Sequence, residues 1–148
     1  MYCLCRSNIS LAVILSLFFA SISGCGDSLP KRVPVSGRVL IDGKPLEYGV
    51  VQVFPKGERS AYGTLGPGGK FALTTFTEND GCMLGKHPVA VNAAKGISST
   101  KMQWFAPKKY ANVATSGLEI DVPGPRNEVE INLKWDGEKP YIETIGKK

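Results

Sequence analysis

Histidine is almost missing from this chain: its 148 residues include one, His87, and only four cysteines, Cys3, Cys5, Cys25 and Cys82. A zinc centre takes about four ligands, and no histidine-glutamate-x-x-histidine helix occurs, so zinc peptidase chemistry is excluded. The glycine-x-serine-x-glycine elbow of serine hydrolases is missing as well. Gly66-Pro67-Gly68-Gly69 lies between strand-like segments, not ahead of a helix, and so reads as a turn and not a phosphate cradle. Dense positive charge is lacking too. The formal charge is +5, but the basic residues come as scattered pairs, Lys31 with Arg32, Lys108 with Lys109 and Lys147 with Lys148, without the basic-aromatic stripe of a nucleic-acid groove. No nucleic-acid partner and no cofactor is implied. The longest apolar run, Ile9 to Ala20, falls short of the roughly 20 residues that cross a bilayer as a helix.

What is present begins with that run. One basic residue, Arg6, precedes it and Ile22-Ser23-Gly24-Cys25 follows it, which is the order of a signal peptide with a small-residue cleavage site. The four residues resemble the lipobox of bacterial lipoproteins. The resemblance implies a leader over residues 1–24 and Cys25 as the lipid acceptor, with diacylglycerol on its sulfur and further acylation of the new amino terminus, enough chains for stable anchoring. Gly26, where an aspartate would retain such a protein at the inner membrane of double-membrane cells, implies an outer-membrane address. An ordinary secretory signal is the alternative. Cys3 and Cys5 leave with the leader and Cys25 is blocked, so Cys82 alone remains: a buried small hydrophobe on the favoured reading, an exposed thiol on the other.

Residues 25–32 are short and polar, as a tether between membrane and domain requires. From Val33 to Trp135 the chain reads as one all-β domain, an antiparallel β-sandwich of about seven strands, transthyretin-like or Ig-like. Seventeen glycines and ten prolines supply its turns. Val33, Val35, Val39 and Ile41 alternate, with Gly37 as a candidate bulge. Asp42-Gly43 marks a tight hairpin turn. Further strands fall at Gly49–Phe54, Ser60–Leu65, Lys70–Phe76, with Phe71 and Leu73 inward, and around Val89, Val91 and Ala93. Leu118–Val122 and Val129–Lys134 alternate most clearly and are expected to pair as a hairpin through Pro123–Asn127. Lys95–Gly117 is expected to be one long excursion. Residues 136–148 form a C-terminal tail, with an edge strand at Tyr141–Ile145.

Val35-x-Gly37-x-Val39, Asp42-Gly43-x-Pro45-Leu46, Gly69-x-Phe71-x-Leu73, Asp80-Gly81 and Val89-x-Val91 together resemble the carboxypeptidase regulatory-like, or transthyretin-like, domain. Pro107-x-Lys109-Tyr110 and Thr115-Ser116-Gly117-Leu118 are similar to the closing region of a subgroup of small bacterial lipoproteins. The resemblance implies a sandwich fold and a cell-envelope address, and no enzymatic activity. The purine-pathway hydrolase of similar architecture depends on several histidines and a terminal tetrapeptide that this chain lacks. His87-Pro88 departs from the subgroup's pattern, and proline there predicts a strand that starts late or lies at an edge.

The remaining candidates are weighed by their neighbours. His87 reads as an exposed or edge-strand residue and not a general base. Glu119, Asp121, Glu128 and Glu130 fall at outward strand positions, a solvated face and not a glycosidase pair. Glu78, Asn79 and Asp80 offer fewer oxygens than the six or so that calcium takes. Trp104, Phe105 and Tyr110, concentrated in the long excursion, are the candidate ligand-binding residues. They can stack on a sugar ring or anchor an envelope protein, or instead cover one end of the sandwich. The expected function is a non-catalytic, membrane-anchored binding or structural module of the cell envelope, with carbohydrate binding through this aromatic segment as the alternative.

Overall fold

A computed structural model describes residues 31–146. The leader read over 1–24, the acceptor Cys25 and most of the tether lie outside the described residues, as do Lys147 and Lys148. The fold is an all-β sandwich. Its strands are β1 (Arg32–Val33), β2 (Val35–Ile41), β3 (Lys44–Pro45), β4 (Val50–Val53), β5 (Ala61–Thr64), β6 (Lys70–Ala72), β7 (Cys82–Met83), β8 (Gly85–Asn92), β9 (Ala94–Ser98), β10 (Lys101–Trp104), β11 (Leu118–Val122), β12 (Arg126–Leu133) and β13 (Tyr141–Thr144). A single-turn helix, Val113–Ser116, precedes β11.

One layer has β2 at its centre, flanked by β12 on one side and by β3 and β6 on the other; the second runs β11-β8-β4-β5. Both turn valine-rich faces inward. Val39 and Ile41 of β2, Val129, Ile131 and Leu133 of β12, Phe71 and Leu73 meet Val51, Val53, Val89, Val91, Ile120 and Val122 in one buried cluster. Each such side chain contributes roughly 1.5 to 3 kcal/mol by leaving water. Asp42 and Gly43 both take positive φ, 48° and 77°, the geometry a two-residue hairpin turn needs.

Several expectations are corrected. β11 and β12 do not form a hairpin: β11 pairs antiparallel with β8, and β12 runs parallel to β2. Alternation reports which face is buried, not which strand lies alongside. The chain bends at Pro123 and Gly124 and crosses there from one layer to the other. Gly37 is not bulged itself; the irregularity lies on β12 between Arg126 and Val129. Pro88 neither delays β8 nor puts it at an edge, because β8 begins at Gly85 and lies between β11 and β4. The Pro88 carbonyl accepts from the Phe54 N–H at 3.0 Å, so the proline nitrogen faces β4 just where that strand has ended at Val53. Lys95–Gly117 is not one loop: β9 and β10 form a hairpin, and β13 from the C-terminal segment pairs with β10. Arg32, assigned to the tether, is already paired with Met83.

The registers define two poles. β2, β8 and β12 all start at the pole where the chain enters through Arg32, and β4 and β11 end there. Loops 54–60, 74–81 and 123–125 close this near pole. The far pole carries the Asp42-Gly43 turn, the Pro67–Gly69 turn and the third sheet, β13-β10-β9.

Candidate functional site

β10 delivers Trp104 and Phe105 to the far pole with their side chains on opposite sides. Trp104 turns in and is 6% exposed. Its indole N–H donates to Glu143 Oε2 at 2.9 Å, Tyr141 stacks on it at 6.5 Å between centroids, and Lys108 covers its other edge while pairing with Glu143 at 2.7 Å. Tyr110, on a 3-10 turn at Lys108–Ala111, is 7% exposed. Its hydroxyl accepts from the Lys134 N–H at 3.2 Å and lies 3.4 Å from the Lys134 carbonyl. These two aromatics therefore fasten the 94–117 segment to the C-terminal strand and the body of the sandwich. The exposed three-ring platform that sugar stacking needs does not form, because a buried N–H or O–H is best satisfied by turning to a partner.

Phe105 alone of the three reaches a surface concavity. Its ring lies 5.2 Å from that of Tyr48, tilted by 51°. Together with Ile41, Pro45, Leu46 and Trp135 they line a shallow groove of about 550 Å³ at the far pole. Tyr48 and Trp135 were not among the residues singled out from sequence. Trp135 continues the inward phase of Val129, Ile131 and Leu133, a signal that was there to be read. Asp42 accepts from the Trp135 N–H at 3.4 Å and Glu47 from the Gly68 N–H at 2.8 Å, so both carboxylates at the groove's edge serve the backbone.

Other candidate groups are also engaged structurally. His87 is buried, not exposed: it is in phase with Val89 and Val91, and its Nε2–H donates to the Met83 carbonyl at 2.9 Å. Glu119, Asp121, Glu128 and Glu130 are all exposed, and Asn132 and Arg38 lower the Glu130 carboxyl by hydrogen bonding. Asp80 organises a loop: it accepts from the N–H groups of Thr75, Phe76 and Thr77 at 2.7, 3.1 and 3.1 Å, and from Arg32 Nε at 2.5 Å. Burial acts to raise its carboxyl and is outweighed by these donors, which bring it to about 2. Among the described residues, no group of three or more His, Cys, Asp and Glu side chains could hold a metal ion. No described helix is long and apolar enough to cross a membrane.

Cys82 is fully buried, and burial pushes its thiol up to about 11. The thiolate is the reactive form, so the folded protein is expected to resist an aromatic disulfide reagent at pH 8. One thiol at position 82 should become titratable only when denaturant is added; rapid labelling without denaturant would contradict this burial.

No family model matches the chain, and neither a curated protein nor a solved structure is similar to it.

Proposed function

We propose that this chain is a lipid-anchored, non-catalytic β-sandwich of the bacterial cell envelope, acting as a binding or structural module of the carboxypeptidase regulatory-like, transthyretin-like kind. The observation that carries the reading is the order along the chain. An apolar run ends in Ile22-Ser23-Gly24-Cys25, and the folded body begins at Arg32, leaving just the short polar spacer that a lipidated cysteine needs. The far-pole groove supports a binding role, since it sets an aromatic pair against Pro45 and Trp135, with Asp42, Lys44 and Glu47 also lining it. Carbohydrate binding has weaker support, because Trp104 and Tyr110 are buried.

The test is fractionation of cells expressing the natural chain or Cys25→Ser. The natural chain is expected in the membrane fraction, released by detergent and not by high salt. Loss of several acyl chains should cut the membrane-bound share of the variant by about tenfold or more. Equal partition of the two proteins would contradict lipid anchoring.

A further inference from the structure

The near pole carries an unusual surface. Phe76 is 37% exposed, and its ring is clasped by two guanidinium groups, Arg32 at 4.8 Å and Arg59 at 5.4 Å from the centroid. Arg32 is fixed in turn by Asp80. One residue further out, continuing the pairing of Arg32 with Met83 puts Lys31 opposite Leu84, which is 40% exposed. Lys56, Lys86 and Arg126 are exposed at the same end. The carboxylates there are Glu58, Glu78, Asp121 across the ladder from Lys86, Glu128, which lines one concavity with Asp121 and Arg126, and Asp80, already engaged with Arg32. Basic side chains outnumber carboxylates at this pole by six to five, and the pole also exposes Phe76 and Leu84.

We infer that the near pole is a membrane seat: Phe76 and Leu84 enter the headgroup layer of an acidic phospholipid bilayer while Arg59, Lys31 and Lys86 meet its phosphates. This rests on the lipid-anchored reading of Cys25. Six residues separate Cys25 from Arg32, so the two lie at most about 25 Å apart when the chain is fully extended. The tether enters the fold at this pole, so a lipid on Cys25 keeps the near pole within that distance of the bilayer. An aromatic ring with flanking arginines suits that depth, because the ring takes the apolar side of the interface while the guanidinium groups reach back to the phosphates. Each basic side chain near an anionic surface strengthens contact on the order of fivefold. Such contact is weak without the lipid and effective with it. It turns the groove of Tyr48, Phe105 and Trp135 away from the bilayer, towards partners in the envelope.

The full lipidated protein, reconstituted in vesicles of phosphatidylcholine with or without phosphatidylglycerol, tests this directly. A polarity-sensitive dye is attached through Leu84→Cys at the near pole or Ile142→Cys on the third sheet, and quenched by lipids spin-labelled near the headgroup. On vesicles containing phosphatidylglycerol, the dye at position 84 should be quenched at least threefold or so more than at 142, and Arg59→Gln should shift the seated fraction by about fivefold. Protein that floats with the vesicles but shows equal quenching at both positions overturns the seat alone, and leaves the pole to a protein partner. Equal quenching on both vesicle types overturns the role of acidic lipid. Protein that fails to float overturns the anchored reading and the seat with it.

Discussion

Gly37→Ala is expected to cost on the order of 4 kcal/mol, at the severe end of single substitutions. The parallel seam between β2 and β12 joins the last main strand to the first, and a side chain at position 37 would point into the β12 backbone. A methyl group there would lie 1.9 Å from the Val129 carbonyl oxygen and 2.7 Å from its carbonyl carbon. No rotamer relieves a clash with backbone, so β12 must move, and Val129, Ile131 and Leu133 leave their places in the core. Urea denaturation followed by the emission of buried Trp104 and Trp135 gives the measurement. Gly96→Ala is the control: nothing lies within 4 Å of a methyl group at that position, and the change should stay within about 0.5 kcal/mol. Equal effects at the two glycines would contradict the close approach of β12.

Asp80→Asn should cost about 3 kcal/mol, from the lost charge opposite Arg32 and a loop left with too few acceptors. Thr75 donates to one carboxylate oxygen, and Phe76, Thr77 and Arg32 donate to the other. An amide supplies one acceptor, so its NH2 group must face a donor whichever way it turns. The pH dependence separates this charge effect from packing. The folded carboxyl titrates at about 2 and an unperturbed one at 3.8. The unfolded chain therefore takes up the proton first as pH falls, and the stabilisation is fully present above about pH 5 and drains away between pH 4 and pH 2. It amounts to about 2 kcal/mol by linkage. The natural protein should lose that much more stability than Asp80→Asn over this interval. Parallel acid limbs for the two proteins would show that the carboxylate carries no such load.

Much of the sandwich was legible in the sequence because period-two alternation reports burial directly. Val39, Val51, Val53, Phe71, Leu73, Val89 and Val91 all face the core as their spacing requires. Partnership was less legible. Leu118–Val122 and Val129–Leu133 carry the same pattern whether they pair with each other or line opposite layers, as they do here. Pro88 misled for a related reason, since a missing N–H matters only on the side where a neighbouring strand continues. Residue type alone points His87 outward, whereas its phase with Val89 places it inward. The aromatics Trp104 and Tyr110 could not be placed from spacing alone, because their partners, Glu143 and Lys134, lie 39 and 24 residues away. The clasp of Phe76 by Arg32 and Arg59 spans three separate segments and left no local signature.

These placements give the lipid-anchored reading its mechanical sense. A short spacer from Cys25, a basic near pole and an aromatic groove at the far pole would together orient one small domain on a bilayer. Everything in that arrangement depends on what happens at Cys25. Intact-protein mass spectrometry of the membrane fraction, with Cys25→Ser alongside, measures it. A chain beginning at Cys25 and carrying the added mass of diacylglycerol and a further acyl group, lost in the variant, is the expected result. An unmodified chain, or one still carrying residues 1–24, would contradict the lipid anchor and with it the orientation of the domain.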